Sequence, residues 1–536
     1  MAANVRNFED LKRERFDEEN EVTVTSEEQL QVERSIQEIF RNFKLRLEID
    51  SNLPKLQRWE HIQALKHWLM YLPPGYKCLD ASRTWICYWI LHSLSLLEVK
   101  IPEELKNSLI DFLKRCQSTE GGFGGGPGQM PHLATTYAAV CSLCIIGTER
   151  AYRAINREKL QQFLCDIKTS DGSFSIHRGG EVDIRGVYCA LCVATLTNVF
   201  TEKLFEGTAE WVVSCQTYEG GFSGYPGMEA HGGYAFCGVA SLILLNKGHL
   251  CDMDSFLRWI VNKQMRYEGG FQGRTNKLVD VCYSFWQGGA FSLIHSLLAQ
   301  ENSETNYLLF DQGALQEYIL ICCQYPAGGL QDKPGRLRDI YHTCYALSGL
   351  SIAQHSIDGS MLVLGPPDNK LGRTHPLYNI GPDFQHKMSD LDDFFAKKDR
   401  KKSKGKKYAT SEEVAKKLED KDPIKKVEKP VKKDRAFEGE EGGGAPIHEQ
   451  DEWREFEEEK KDYTGLKIGN LTMNTPEGNG GGTENTLEQQ QGDDSNSEMI
   501  KKAGPWKRLD SEAGEVEVEK KNRTSSCSIY SDSTNN

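Results

Sequence analysis

Residues 268–288 read EGGFQGRTNKLVDVCYSFWQG, and most of the chain varies the way this stretch begins. Its opening turn, Gly269-Gly270-Phe271, recurs as Gly121-Gly122-Phe123, Gly172-Ser173-Phe174, Gly220-Gly221-Phe222 and Gly328-Gly329-Leu330. The last residues of successive turns lie 51, 48, 49 and 59 residues apart, the long interval holding a polar insertion, Glu301 to Asn306. A glutamine stands shortly before four of the five turns (Gln117, Gln216, Gln264, Gln324), and an acid directly before the glycines in four. Twelve to fifteen residues after each turn a tyrosine enters an apolar stretch: Tyr137, Tyr188, Tyr234, Tyr283 and Tyr345. Self-similarity at a fixed period means that each unit buries its apolar face only against its neighbours. Each unit has room for two helices of about 11–12 residues. Strand signals are sparse, and runs such as ALCVATL and CGVASLILL suit buried helix. The chain therefore reads as all-α. Two-helix units stack into an open solenoid or close into a ring, an α-α barrel whose turns surround a central cavity at one end. Periodicity alone does not decide closure.

The 536 residues, 38% hydrophobic, suffice for a large core and something more. A formal net charge of -13 argues against a general nucleic-acid surface. The polar start MAANVRNFED carries no signal peptide, so the sixteen cysteines are expected to be reduced thiols of a cytoplasmic protein. No apolar run approaches the roughly 20 residues that span a bilayer. Residues 1–50 are charge-dense, and Leu30, Val32, Ile36, Ile39, Phe40 and Phe43 have the spacing of an amphipathic helix. The repeat region is taken as residues 51–397. From 398 to 536 the chain is charged and of low complexity, too poor in apolar surface to offset chain entropy, and is expected to be disordered. The basic run Lys397–Lys407 reads as a solvated linker.

Within the opening stretch, Arg274 and Lys277 offer charge-assisted donors suited to a diphosphate. Asp280 and Cys282 can give an oxygen and a sulfur to one zinc ion if a distant histidine completes the set. Residue types alone equally allow a solvated loop and a helix-capping Asp280.

Residues 20–397 resemble the β subunits of protein prenyltransferases, and among them the farnesyltransferases. The resemblance rests on LDASRTWICYWILHSL, HGGYAFCG, GRTNKLVDVCYSFWQ, RDIYHTCYALSGLSIAQH and HPLYNIGPD. It implies a six-hairpin α-α toroid paired with an α subunit, transferring farnesyl from farnesyl diphosphate to the cysteine of CaaX proteins such as Ras-like GTPases. It implies Asp280, Cys282 and His342 as zinc ligands, the fourth position being taken by the substrate thiol as a thiolate. His231, Arg274, Lys277 and Tyr283 would hold the diphosphate, with Gly233 beside them, and Asp332 would help to place magnesium. Arg185, Tyr188, Tyr234, Cys237 and Trp286 would line the isoprenoid. Trp85, Trp89, Tyr341 and Tyr345 would set peptide and isoprenoid specificity. The nearest competing reading is a type I geranylgeranyltransferase β subunit, which resembles this chain with a small residue where the bulky Trp85 stands. Terpene cyclases share the repeat, but their DxDD motif has no counterpart in a barrel-like position. A barrel without catalysis, serving only to bind a partner, leaves the full zinc and diphosphate sets without a purpose.

Overall fold

The computed structural model describes residues 22–300, 309–356 and 359–381. The insertion Glu301–Asn306, the basic run Lys397–Lys407 and the expected tail, 398–536, lie outside them. Fourteen α-helices follow one another among the described residues. They are α1 (Val24–Ile49), α2 (Arg58–Met70), α3 (Arg83–Leu96), α4 (Glu103–Cys116), α5 (Leu133–Ile146), α6 (Glu149–Ala154) and α7 (Arg157–Asp166). After these come α8 (Ile184–Leu196), α9 (Thr208–Ser214), α10 (Gly232–Leu244), α11 (Met253–Val261), α12 (Tyr283–Gln300), α13 (Gln312–Glu317) and α14 (Ile340–Gln354).

Helix α1 starts at a capping box, in which Thr23 Oγ1 accepts from the Ser26 amide at 3.1 Å and Ser26 Oγ accepts from the Thr23 amide at 2.8 Å. Its buried stripe is narrower than the sequence suggests. Ile36, Phe40 and Phe43 are covered, while Leu30, Val32 and Ile39 are half-buried.

Six of the remaining helices form an inner layer: α3, α5, α8, α10, α12 and α14. Each packs on the next, and α14 packs back on α3, so the ring is closed. Inner helices are apolar all round, as α5 shows with every residue buried except Ile145. A helix of that kind needs cover on every face. The outer layer, α2, α4, α7, α9, α11 and α13, supplies it; α4 buries only one stripe, Leu109, Ile110, Phe112, Leu113 and Cys116.

Two sets of hydrogen bonds stitch the rings. On the inner ring, an amide at the start of each helix donates to a loop carbonyl of the following repeat. These are Thr84 to Gly125 (3.3 Å), Leu133 to Ile176 (2.8 Å), Ile184 to Gly224 (2.9 Å), Gly232 to Gly273 (2.8 Å) and Val281 to Asp332 (3.0 Å). The sixth amide, of Ile340, meets the hydroxyl of Tyr76 at 3.1 Å, across the junction between last and first repeats. All six inner helices therefore begin at the same end. On the outer ring the repeating glutamines do the equivalent work. Gln117, Gln216 and Gln264 each exchange two bonds with the backbone of Asn156, Asp252 and Asp311, the residues capping α7, α11 and α13. Gln324 closes the circle on the carbonyl of Lys55 (2.9 Å) and the amide of Gln57 (2.7 Å). Where the second turn lacks glutamine, Lys168 reaches the Gly172 carbonyl (2.6 Å) and Thr208 Oγ1 (2.7 Å).

The repeated glycine has a steric cause. Gly121 and Gly328 take φ of +114° and +79°, and a Cβ there would lie 1.8 Å from the Lys159 carbonyl oxygen and 2.0 Å from that of Glu60. Any side chain would hold off the neighbouring outer helix. The turn's aromatic, by contrast, is fully buried in all four turns that have one (Phe123, Phe174, Phe222, Phe271). No described helix is long and apolar enough to cross a membrane.

Candidate active site

Nine residues after the last residue of each turn comes the cap of an inner helix: His132, Asp183, His231, Asp280 and Asp339. Each accepts a hydrogen bond from an amide two or three residues on, at 2.7–3.1 Å. This is the N-cap requirement of the helix, and it places five polar side chains around one end of the barrel. The candidate site is built on that circle.

Two of the caps, Asp280 and Asp339, bring the metal set together. Asp280, Cys282 and His342 are all buried, and their ligand atoms lie within 4.8 Å of one another. His342 Nε2 is 3.5 Å from Asp280 Oδ1. The other ring nitrogen, Nδ1, is 2.5 Å from Asp339 Oδ2. That bond holds the Nδ1 proton, so Nε2, which has no hydrogen-bond partner of its own, is the nitrogen that would offer its lone pair to a metal in place of a proton. A buried imidazole nitrogen aimed at a carboxylate and a thiol fits a tetrahedral zinc ion that keeps one position open and would displace the proton at Nε2. Burial opposes charge on His342, but Asp339 and Asp280 overcome it and raise its pKa well above the usual value. Asp332 is buried next to this set and ion-paired with Lys333. Burial and then the Asp280 charge push its carboxyl up to about 7. The Asp332 carbonyl oxygen accepts from Val281 N and from Tyr318 Oη (2.9 Å), so the two loops are held in register.

The diphosphate candidates divide. His231 and Tyr283 meet directly, Tyr283 Oη lying 2.9 Å from His231 Nε2. His231 Nδ1 accepts from the Gly233 amide, so the proton is on Nε2 and is donated to the tyrosine. Burial, with the Arg274 and Arg185 charges, lowers this histidine to about 3 and keeps it neutral. Tyr283 Oη is thereby the acceptor in this pair. Gly273 makes the approach possible, since a Cβ there would lie 2.1 Å from Tyr283 Cζ. Tyr234 packs on His231 with ring centres 4.9 Å apart, and the Arg185 guanidinium is 5.7 Å from the Tyr234 ring. Arg185 is also held in bidentate fashion by Asp183 (3.1 and 2.7 Å). Arg274 and Lys277 sit farther out on their loop. Arg274 pairs with Glu229 at 2.9 Å, and Lys277 is exposed and forms no ion pair among the described residues.

Below this end a belt of aromatic rings runs through all six inner helices and closes on itself. In order it passes Trp89, Trp85, Tyr137, Tyr188, Phe236, Trp286, Tyr345, Tyr341 and back to Trp89, with neighbouring ring centres 4.6–5.6 Å apart. Trp286 Nε1 donates to Tyr341 Oη at 3.3 Å. Cys237 is buried on α10, its thiol raised by burial first and then by Asp183. The belt includes every aromatic expected to contact isoprenoid or peptide except Tyr234. It also contains Tyr137 and Phe236, which sequence reasoning left out of the site. The signal for both was present, because Tyr137, Tyr188 and Phe236 each stand fourteen residues after the last residue of a turn. Reading every repeat for its tyrosine instead grouped Tyr234 and Tyr283 with them, and those two belong to the rim. Asp339, the orienting partner of His342, was also missed.

Comparison with known proteins bears on this geometry. Residues 56–380 match the prenyltransferase alpha-alpha toroid domain family. A protein farnesyltransferase subunit beta from Arabidopsis thaliana is 40% identical over 404 residues, covering 65% of this chain and 84% of that protein. A geranylgeranyl transferase type-1 subunit beta from the same plant is 30% identical, covering 55% of this chain and 84% of its own length. Among solved structures, the Candida albicans protein geranylgeranyltransferase-I complexed with GGPP superposes with a TM-score of 0.53 at 23% identity, over 63% of this chain and 99% of that one, a likeness of fold. Residues 449–531 match a second family, carnitine deficiency-associated protein 3. Composition gave no hint of that match, which lies outside the described residues.

Proposed function

The chain belongs to the protein farnesyltransferase β-subunit family, and on that footing we propose that it is the catalytic β subunit of a heterodimeric protein farnesyltransferase. It would transfer farnesyl from farnesyl diphosphate to the cysteine thiol of CaaX proteins, working with an α subunit in the cytoplasm. The observation that carries the reading is the buried Asp280–Cys282–His342 set with its Asp339 anchor, lying at the same end of the barrel as the His231–Tyr283 pair and above an aromatic belt. Free thiols at all fifteen described cysteines agree with a reducing compartment.

Zinc held by Asp280, Cys282 and His342 would lower the pKa of an incoming cysteine thiol, so that the nucleophile is charged at neutral pH. The chain's own residues do the rest. Negative charge grows on the diphosphate as the carbon–oxygen bond breaks. The Tyr283 hydroxyl, positioned by neutral His231, would donate to that charge, joined by Arg274 on exchanging Glu229 for phosphate and by Lys277. Six inner-helix N-termini add positive dipole ends on the same side. Asp332 would share a magnesium ion with the diphosphate. The aromatic belt gives the isoprenoid apolar area at little side-chain entropy cost. Bulky Trp85 favours the shorter farnesyl over geranylgeranyl, as does the higher identity to the farnesyl-named relative.

Co-expression with an α subunit, followed by competition between farnesyl and geranylgeranyl diphosphate on CaaX peptides ending in Ser, Met or Leu, tests this reading. Strong farnesyl preference is expected, with Trp85→Thr shifting use toward the longer chain. Equal use of both by the wild type would overturn the farnesyl assignment.

A further inference from the structure

Each of the five capping residues of the candidate site follows, three positions on, a hydrogen-bonded β-turn. In every turn the amide of the fourth residue donates to the carbonyl of the first. The pairs are Gln129 to Gly126 (3.2 Å), Gly180 to His177 (3.0 Å), Met228 to Tyr225 (3.2 Å), Lys277 to Arg274 (3.3 Å) and Arg336 to Lys333 (3.2 Å). The third residue has a positive φ each time, from 61° to 86°; it is glycine in four turns and Asn276 in the one that carries Arg274 and Lys277. The second residue is proline in three turns: Pro127, Pro226 and Pro334. Proline followed by glycine sets such a turn in advance. The two turns without proline have Arg178 and Thr275 in its place. Both of these side chains are tied to equivalent residues, each standing eight before the last residue of its Gly-Gly-Phe or Gly-Ser-Phe turn. Arg178 pairs with Asp166, the last residue of α7. Lys263, two residues past the end of α11, donates to Thr275 Oγ1 at 2.8 Å. A tether thus stands where proline is missing.

Lys263 is an unusual residue to hold a turn. It is 3% exposed, its ammonium lies 4.8 Å from the centre of the Trp259 ring, and it forms no ion pair among the described residues. Burial works against its charge, and Glu219 and Glu229 work for it. A buried ammonium without an ion pair is costly for a fold to keep, and the bond it makes goes to the residue beside Arg274. The other tie of this turn, from Arg274 to Glu229, is given up when the guanidinium exchanges its carboxylate for phosphate, whereas the Lys263–Thr275 bond stays. From this geometry we propose that Lys263 is a positioning residue of the diphosphate site: through Thr275 it does for the fourth turn what proline does for three others, and so holds Arg274 and Lys277 in place. The proposal deepens the prenyl-transfer reading and rests on it. A turn fixed before the substrate arrives leaves less ordering to be done on binding.

The test uses the co-expressed α/β complex and equilibrium binding of farnesyl diphosphate. Lys263→Met keeps the apolar stem over Trp259 and removes the ammonium. Thr275→Val removes the hydroxyl and leaves every charge in place. Both should raise the Kd about tenfold, the scale of one misplaced charge-assisted bond. Adding Thr275→Pro and Asn276→Gly to Lys263→Met installs the Pro-Gly turn that the chain uses three times elsewhere, and should bring the Kd back to within about threefold of the wild type. Weakening by Lys263→Met that the Pro-Gly turn does not reverse would overturn the proposal, because it would assign the effect to the ammonium's charge or to packing. Unchanged binding in Thr275→Val would overturn it as well, and that variant decides the matter if Lys263→Met does not assemble. Failure of the prenyl-transfer reading would show separately, as a wild-type complex that neither binds farnesyl diphosphate nor transfers it.

Discussion

The second and fourth turns solve the same structural problem with the same residue and end in different chemistry. Asp183 and Asp280 stand at equivalent positions, both buried, both accepting from the amide two residues on at 2.8 Å. In the second repeat that residue is Arg185, and the remaining carboxylate valence is spent on its guanidinium. In the fourth it is Cys282, and the carboxylate faces His342 from the sixth inner helix instead. Capping belongs to the scaffold, and the proposed metal binding would be added to it. The plain reading of Asp280 as a helix cap and the proposed one as a ligand are therefore compatible.

The strongest test of that division replaces each aspartate by asparagine, which keeps the capping oxygen and removes the charge. Asp280→Asn should lower zinc affinity by more than about 100-fold, since even outer-shell partners cost up to that much. Asp183→Asn should leave zinc content unchanged in elemental analysis while lowering thermal stability, because a buried guanidinium loses its counter-charge. Zinc lost equally from both would break the comparison. A smaller effect is expected at Asp339, the cap that orients His342. Asp339→Ala should weaken zinc binding about 10- to 100-fold without removing a ligand, as read by competition with a chromogenic chelator. Unchanged affinity would mean that packing alone sets the histidine's orientation.

Legibility followed the same division. The repeating turn could be read because glycine and phenylalanine are forced there by close backbone approach and burial. Closure could not, because it depends on Gln324 meeting Lys55 and Gln57, and on Ile340 meeting Tyr76, pairs that no periodicity links. The proposed metal ligands Asp280 and Cys282 announce themselves as a pair, but His342 came only from family resemblance. The stretch HPLYNIG (375–381) gave no sign of its place inside the barrel, since the three tyrosines that hold it from the inner helices bond its backbone carbonyls, which carry no side-chain code.

Acid should separate scaffold from site again, more weakly. His61 is buried at the junction of last and first repeats, with Nδ1 accepting from Gly329 N (2.8 Å) and Nε2 2.9 Å from Gln324 Oε1. Burial lowers its pKa to about 4 from 6.5. A neutral histidine in the fold and a protonatable one in the unfolded chain mean stability that is complete above pH 6.5 and lost as pH falls toward 4. The loss at pH 5 should be about 2 kcal/mol. Thermal unfolding across pH 4.5–7.5 should show this slope, and His61→Gln should flatten it. An unchanged slope in that variant would assign the acid sensitivity to other groups. The smallest effect expected is none at all: deleting residues from about 405 onward should leave farnesylation of short peptides intact, and a large fall in turnover would sink that expectation.

The hydrogen-bond circle at the starts of the inner helices has a topological consequence. Five of its links run from one repeat to the next through backbone alone, while the sixth borrows a tyrosine hydroxyl. A ring of near-equivalent joints has no privileged first member, so the order of repeats around the axis matters more than the point at which the chain happens to enter. Circularly permuted forms opened at another outer-ring joint should still close, provided the segment that ends in the barrel's core keeps its own helix to hang from.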